Sequence, residues 1–450
     1  RFFRVKSWTG DGTSSREIYH DLECDVGAIL VVTNTTSLTN KTDYVMWHTS
    51  IPSQYIPFNG AGGATRVKAS TYFGNGSSTV TPDEITFTIG TALNRNGDTY
   101  TAYCFADDAS ADGLIRCTNG TTNTSGKATI VSEWEPQAMF YKAVSGGGVF
   151  EFIDVKSGWS PVDLDKPLSM GSSSNSAIVD IGYPVGEGVE FRSSLLSTNH
   201  LFILIRKGPT RAPTTGTDFF YPSSFVGTSA SKTITSTFEP QTALIALRDQ
   251  GSSGASDASA IFLNKFTGVA LQPYTDSRTA ITGYTDEITS WNSDSITLGA
   301  SSNNITNKLN ATYSVLLFGH AKGVYNSSLY LGNGGTKTVY HGLGKKPDLV
   351  IIQKIQPTVG DLSVSSIFFK VAISSDPDND AVDKLTVGSY LDSRSGAYGS
   401  SSITSVTDTT LSISDMNFNT SNVVYVIHAF GNTTGLSKVG NYTTTGGSST

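Results

Sequence analysis

Short runs of apolar and β-branched residues alternate along the chain with clusters of Gly, Asn, Asp and Ser. Typical runs are residues 84–89, which Gly90 follows, and residues 177–181, which Gly182 follows. Runs of this length and composition, bounded by turn residues, are typical of β-strands. No stretch of the sequence keeps apolar residues at helical spacing for three turns between capping residues. The pattern therefore predicts an all-β protein.

The order of these runs repeats along the chain. Residues 18–22 (IYHDL) and 339–343 (VYHGL) both follow a Gly/Thr-rich turn, and each precedes a short charged stretch and an apolar run. His20 and His341 lie 321 positions apart, which is three periods of about 107 residues, a length that suits one β-domain. The spacing predicts two further copies between them.

Both intermediate copies are present in the sequence. Pro136 precedes an apolar run at residues 138–141, and Pro240 precedes one at residues 243–246, while Pro347 has the same place in the last copy. An aromatic-rich strand is predicted to end each unit, at residues 100–106, 200–205, 313–321 and 423–430. The chain therefore contains four similar units.

The predicted fold is a tandem array of four antiparallel β-sandwich-like repeat domains of about 105 residues. The predicted boundaries are 1–118, 119–210, 211–325 and 326–434. Residues 435–450 resemble the segment that begins the first unit, and they predict the start of a fifth repeat. We therefore expect the sequence to be a window onto a longer polypeptide.

The composition argues against two classes of partner, nucleic acids and membranes. Charged residues make up 15% of the chain, the net charge is −7, and the Lys and Arg residues form no cluster. Binding to nucleic acid requires a basic face, so no nucleic-acid partner is expected. The longest apolar runs are far shorter than the roughly 18 residues that span a bilayer, so no membrane partner is expected.

Three cysteines cannot staple four domains, and disulfides are therefore not expected to be the general source of stability. Cys104 and Cys117 are close enough in sequence to bridge a hairpin, which would leave Cys24 over. The sequence favours free thiols over this bridge and leaves the question open.

The six histidines lack the short spacing of metal-binding pairs. Because His20 and His341 are repeat equivalents, a hydrogen bond that stabilises a turn is the favoured role for both. Asp376, Asp378 and Asp380 place carboxylates at alternating positions, as calcium loops do. They lack the Gly at the sixth loop position and the Glu at the twelfth, so they are a weak calcium candidate beside the favoured interpretation as a solvated acidic turn.

Catalytic motifs are absent from the sequence. It contains no nucleophile elbow and no Gly-rich phosphate loop followed by a helix. Glu133 and Glu135 could form the carboxylate pair of a glycosidase. They flank a turn that recurs at Thr237 and Glu239, so a structural use is favoured. No catalytic residue and no cofactor are predicted.

Several motifs together resemble a known domain. They are a Gly-Leu element with Pro and a PDLVII strand within residues 342–354, closing strands at residues 100–106 and 425–430, and the segment 435–450. These motifs resemble a domain of unknown function that is repeated in structural proteins of marine phages, especially cyanophages. The resemblance covers all four units and weakens in the second and third, which lack the His-Gly-Leu element.

This resemblance implies a virion component such as a fibre, a tail appendage or a capsid-attached protein, often oligomeric and without known catalytic residues. The expected function is therefore a non-enzymatic virion structural protein that contributes to host-surface attachment. The expected partners are other virion proteins, copies of the chain itself, with a homotrimer as one arrangement, and glycans of the host surface. A bacterial extracellular adhesin or filament subunit is the alternative, and it would require an export signal or anchor. A carbohydrate-active enzyme is disfavoured because no catalytic constellation stands out.

Overall fold

The computed structural model describes residues 2–439 with internal gaps. The gaps are residues 34–43, 58–65, 68–70, 76–80, 111–112, 146–148, 156–158, 160–164, 166, 171–179, 208–211, 250–259, 266–269, 272–286, 301–305, 356–368, 375–384, 387–402 and 415–418. The described residues form antiparallel strands and turns, and their helical segments are short 3-10 turns such as Thr91–Leu93 and Gly216–Asp218. The all-β prediction is confirmed.

The first repeat combines a large and a small sheet. Its strands are β1 (Phe3–Thr9), β2 (Ser15–Tyr19), β3 (Val26–Thr33), β4 (Tyr44–His48), β5 (Gln54–Pro57), β6 (Arg66–Val67), β7 (Thr86–Gly90) and β8 (Thr99–Ala106). The large sheet has the order β1-β8-β3-β4-β5-β6, and β2 pairs with β7 in the small sheet.

The second repeat has the same plan. Its strands are β9 (Ile115–Thr121), β10 (Lys127–Val131), β11 (Pro136–Ala143), β12 (Phe150–Asp154), β13 (Leu168–Met170), β14 (Gly182–Val185), β15 (Gly188–Arg192) and β16 (Asn199–Arg206). The large sheet has the order β13-β12-β11-β16-β9 and the small sheet β10-β15-β14. The predicted boundary between residues 118 and 119 falls inside β9, which pairs with β16 of its own repeat.

The third repeat consists of the strands β17 (Phe220–Val226), β18 (Lys232–Thr235), β19 (Thr242–Asp249), β20 (Ala260–Asn264), β21 (Ala270–Leu271), β22 (Ile288–Trp291), β23 (Ser295–Leu298) and β24 (Thr312–Phe318). The large sheet has the order β17-β24-β19-β20-β21 and the small sheet β18-β23-β22.

The fourth repeat consists of the strands β25 (Tyr325–Leu331), β26 (Lys337–Tyr340), β27 (Leu349–Ile355), β28 (Phe369–Ser374), β29 (Leu385–Thr386), β30 (Ile403–Val406), β31 (Thr410–Ile413) and β32 (Val424–Phe430). The large sheet has the order β25-β32-β27-β28-β29 and the small sheet β26-β31-β30. β25 begins at Tyr325, one residue before the predicted boundary.

The four repeats share one connectivity. The first strand of each pairs with its last strand, the last strand pairs with the third, and the second strand belongs to the small sheet. The second strand contributes one buried aliphatic side chain to each core, at Ile18, Ile130, Ile234 and Val339. A separate apolar core therefore lies between the two sheets of every repeat.

The chain divides into two compact units, Arg1–Gly208 and Pro209–Thr450, each containing two repeats. Within the first unit, a further apolar core lies between the outer faces of the two large sheets. Ala28, Leu30 and Met46 from the first repeat pack there with Leu201 and Ile203 from the second. The apolar residues of β3 and β4 thus point alternately into the sandwich and into the neighbouring repeat.

Polar and aromatic contacts fix the pairing of the repeats. In the first unit, Nε2 of His48 lies 3.2 Å from the carbonyl oxygen of Phe202, and the rings of Phe105 and Phe140 are 6.0 Å apart. In the second unit, the Tyr325 hydroxyl donates to Oγ1 of Thr242 at 2.7 Å. Two repeats, rather than one, therefore form the compact unit.

Gly27 lies where the first repeat packs closely against Cys117 of the second repeat. A Cβ atom at Gly27 would lie 2.5 Å from both Cβ and Sγ of Cys117. We expect Gly27→Val to destabilise this unit by about 1–3 kcal/mol, because the packed interface has no room for the side chain. Urea unfolding measures this change. Gly216→Ala is the control, since its Cβ would meet no atom within 4 Å, and equal midpoints for the two variants would contradict the packing argument.

Candidate functional site

The turn between the second and third strands begins with a buried histidine or serine in all four repeats. We call it the core turn, and it comprises residues 20–22, 132–134, 236–238 and 341–343. In the first repeat, Nδ1 of His20 accepts the N–H of Leu22 at 3.2 Å, and Nε2 lies 3.0 Å from the carbonyl oxygen of Asp83. His341 makes the same contacts to Leu343 and Thr407, both at 3.2 Å. The predicted turn-stabilising role of the two histidines is confirmed.

Serine takes the place of histidine in the other two core turns. The Ser132 hydroxyl donates to the carbonyl oxygen of Trp134, and the Ser236 hydroxyl donates to that of Phe238, each at 2.7 Å. The apolar residue that ends the core turn faces the core or packs against it in every repeat. Histidine and serine therefore close the same turn by different hydrogen bonds.

Burial keeps several imidazoles neutral. Burial lowers the pKa of His341 to about 4, although the hydrogen bond to Thr407 raises it in part. Burial lowers the pKa of His20 as well. At the contacts between repeats, burial lowers the pKa of His48 to about 4 and that of His428 to about 3. The rings that stabilise turns and repeat contacts are thus poor proton acceptors at neutral pH.

These depressed pKa values make folding sensitive to acid. The unfolded chain binds protons at its histidines below about pH 6.5, whereas His48 and His341 stay neutral in the folded chain down to about pH 4. Stability from these residues is therefore complete above about pH 7 and is lost as the pH falls from 6.5 toward 4. The expected loss reaches about 1.4 kcal/mol per pH unit for each residue.

Urea midpoints at pH 7.5, 5.5 and 4.5 measure this effect. His341→Gln should lower the midpoint at pH 7.5 and reduce the decline of the midpoint between pH 7.5 and 4.5. An identical decline in the variant would show that His341 does not contribute to the acid sensitivity.

A buried asparagine links the beginning and end of three repeats. Asn94, Asn307 and Asn419 precede the last strand and are fully buried. The side-chain Oδ1 of each accepts a backbone N–H from the turn after the first strand, at Asp11 (3.2 Å), Thr228 (3.0 Å) and Asn333 (2.9 Å). The side-chain amide donates to that turn as well, to the carbonyl oxygens of Thr13, Ala230 and Gly335.

A tyrosine six residues after each asparagine completes this clamp. The hydroxyls of Tyr100, Tyr313 and Tyr425 accept the backbone N–H of the residue that follows the asparagine, at 3.1–3.2 Å. Each ring stacks on an aromatic residue of the first strand, and the pairs are Trp8–Tyr100, Phe225–Tyr313 and Tyr330–Tyr425, with centroids 5.0–5.4 Å apart. The clamp ties the two chain ends of a repeat together.

The second repeat uses another arrangement at this place. Gly120 and His200 occupy the positions of the aromatic pair, and Ile130 fills the space beside Gly120. The hydroxyl of Thr122 donates to the carbonyl oxygen of Leu195 at 2.7 Å and accepts the N–H of Thr198 at 3.0 Å. This repeat therefore departs from the others along its first strand.

The asparagine–tyrosine clamp was not predicted from the sequence, although a signal for it exists. Asparagine six residues before a tyrosine of the closing strand occurs in the first, third and fourth repeats. A comparison of the last strands alone misses this asparagine, because it lies in the loop before the strand. The six-residue spacing between asparagine and tyrosine would have identified the clamp.

Loss of the clamp amide should be costly. Asn419→Ala removes a fully buried amide that binds the backbone of Asn333 and Gly335, and we expect a loss of about 1–3 kcal/mol in the free energy of unfolding. Ser421→Ala, two residues away on the exposed side of the same loop, should change it by less than about 0.5 kcal/mol. Chemical denaturation of both variants tests the clamp, and comparable midpoints would refute its importance.

The remaining candidates from the sequence take other places. Asp376, Asp378 and Asp380 lie outside the described residues, and within the described part of the chain no group of three or more potential metal ligands is found. Cys24, Cys104 and Cys117 are free thiols. Burial raises the pKa of Cys104 to about 12, as is typical of an inert core thiol.

Glu133 and Glu135 have different surroundings. Glu135 is largely buried and forms an ion pair with Lys207 at 3.6 Å, and burial raises its pKa. The side chain of Glu133 is exposed and makes no hydrogen bond or ion pair with described residues. The backbone of Glu133 has a φ of +65°, which matches +55° at Asp21 and +64° at Gly342 in the equivalent core turns.

Glu133 lies at a surface groove of about 380 Å³ in the second repeat. The groove runs between β9 and β10, which are the edge strands of the large and small sheets. Its lining comprises Ala109, Arg116, Thr118, Asn119, Thr129, Ile130, Val131, Ser132 and Glu133. The groove is polar and open, and its exposed apolar side chains are Ala109 and the larger Val131.

The charged and polar groups of the groove are unequally engaged. Arg116 pairs with Asp107 at 2.7 Å, and the Thr129 hydroxyl donates to Glu190 at 3.0 Å. The side chains of Thr118 and Glu133 have no partner among the described residues. The groove therefore presents an uncompensated carboxylate beside neutral hydroxyl and amide groups.

Fold and contacts together define an all-β tandem-repeat protein in which the recurrent polar side chains close turns and strand ends. The chain belongs to the family described as "Domain of unknown function (DUF7483)", whose model matches residues 2–181 and 321–450. No curated protein matches the chain. Among the described residues, no helix has the length and apolar character needed to cross a bilayer.

Proposed function

We propose that this chain is a non-enzymatic structural protein of a bacteriophage particle, forming part of a fibre or of a tail or capsid appendage that contributes to host-surface attachment. The proposal rests on one observation: polar side chains hold the turns and the chain ends of the repeats together in a recurring way. A core turn closed by a histidine or serine side chain recurs four times, and the same clamp recurs three times. A chain constructed from repeated, self-closing sandwiches suits a role in reach and surface presentation.

Three further points support the proposal. The closing strands and the Gly-Leu element resemble those of repeated domains in marine phage structural proteins. The low charge content suits a weakly interacting surface. The buried histidines and thiols are held in packing or turn contacts, so they are not arranged as a nucleophile and its base.

Particle localisation tests the proposal directly. An antibody raised against residues 1–208 should label virions purified from lysates of the source culture, and electron microscopy of the labelled particles should distinguish capsid from tail. Labelling of the bacterial surface or of free filaments, with unlabelled virions, would overturn the proposal in favour of the adhesin or filament subunit.

Oligomeric state is a separate part of the same proposal. Copies of the chain are expected to associate, and a homotrimer is the expected arrangement in a fibre. Sedimentation equilibrium of the purified chain at micromolar concentration should give a trimer mass. A stable monomer would remove the trimer from the proposal without affecting the particle assignment.

A further inference from the structure

The gap between the first and second strands is closed by side chains in the first repeat. The ammonium group of Lys6 on β1 pairs with the carboxylate of Asp21 in the core turn. The guanidinium of Arg4 donates to the carbonyl oxygen of Asp21 at 3.3 Å, and that of Arg16 donates to the carbonyl oxygen of Thr9 at 2.7 Å. These contacts join the two edge strands of the sandwich.

The fourth repeat closes the same gap with neutral groups. The Asn326 amide donates to the carbonyl oxygen of His341 at 2.8 Å, and the Ser328 hydroxyl donates to that of Tyr340 at 2.9 Å. In the third repeat, Lys232 lies 5.8 Å from the ring centroid of Phe225, bringing the second strand onto the first.

The second repeat lacks the ion pair of the first repeat for an identifiable reason. Aligned on the core turn, Thr118 stands where the first repeat has Lys6, and Glu133 stands where it has Asp21. The threonine is too short to carry an ammonium group to the carboxylate. Arg116, at the position of Arg4, is directed to Asp107 instead. The groove is thus the equivalent of the Lys6–Asp21 contact with the cation missing.

We infer that the groove between β9 and β10 is a binding site for a ligand that carries a primary ammonium group, which pairs with Glu133 as Lys6 pairs with Asp21. The volume of about 380 Å³ accommodates a hexosamine ring or a lysine side chain. The hydroxyl of Thr118 lines the groove and can contact the polar part of the ligand, whereas the amide of Asn119 donates to Oδ1 of Asn199 at 3.1 Å. The exposed side chain of Val131 offers an apolar contact for its C–H face.

Arg116 does not oppose such a ligand strongly, because its charge is balanced by Asp107 at 2.7 Å. An isolated, solvent-exposed ion pair is weak, so a single site should bind with a Kd well above a millimolar. Repetition of the chain in a larger assembly would raise the effective affinity through multivalency. The inference does not depend on whether the chain is part of a virion.

Ligand-observed NMR titrations of the full chain test the site. The probes are D-glucosamine and Nα-acetyl-lysine amide, with glucose and N-acetylglucosamine as uncharged controls. Saturable binding of either amine, and none of the controls, is the expected result. Binding of glucosamine alone would identify an amino sugar as the source of the ammonium group, and binding of the lysine derivative alone would identify a protein side chain. Equal binding of the uncharged sugars, or no binding of any amine, would overturn the inference.

Two exchanges between repeats localise the binding. Thr118→Lys installs the lysine of the first repeat, so it should close the groove and abolish amine binding. Lys6→Thr leaves the guanidinium of Arg4 beside Asp21, so it should leave amine binding unchanged. Glu133→Gln should abolish binding without closing the groove. Near-ultraviolet circular dichroism verifies that each variant is folded, and unchanged amine binding in folded Thr118→Lys would overturn the assigned site.

Discussion

Each large sheet of this protein carries apolar side chains on both faces, and water must be excluded from both. In the first repeat, Ile29 and Val31 face the core between the sheets, whereas Ala28 and Leu30 face the second repeat. A sandwich whose small sheet covers only one of these faces would leave the other exposed. Burial of apolar surface is the main favourable contribution to folding, so this constraint makes the pair of repeats the compact unit. The positions of His48, His428 and Gly27 follow from it.

Closure of the individual sandwich is a second and more local requirement. The first strand lies at one edge of the large sheet, and the chain must leave it to form the small sheet without exposing unpaired backbone groups in the interior. The core turn and the asparagine–tyrosine clamp satisfy those groups with side chains from His20 or Ser132 and from Asn94. Because both devices are neutral, the closure needs few ion pairs, and the low content of charged residues becomes understandable.

The second repeat shows how the fold tolerates replacement of the residues that join the first strand to the rest of the sandwich. Gly120 replaces the stacked aromatic, Thr118 replaces a lysine, and Arg116 turns to Asp107. The fold persists because Ile130 and Thr122 supply alternative packing and hydrogen bonds. A groove lies between β9 and β10, and the carboxylate of Glu133 has no partner there among the described residues. A site for ligands thus arises from a difference among repeats, on a scaffold whose stability lies elsewhere.

The sequence by itself determined the all-β class, the four-fold repetition and the turn role of His20 and His341, because strand periodicity, turn residues and equivalent positions are local properties of the chain. The continuous apolar runs at residues 28–32 and 349–352 also contained a signal for strands buried on both faces. Only the tertiary structure decided which repeats pack together, which polar atoms of Asn94 and Tyr100 meet, and where Arg116 points. Those contacts join residues far apart in sequence, and short-range patterns do not specify which distant partner a side chain will find. The groove was unpredictable for the same reason, since it depends on a contact that Thr118 is too short to make.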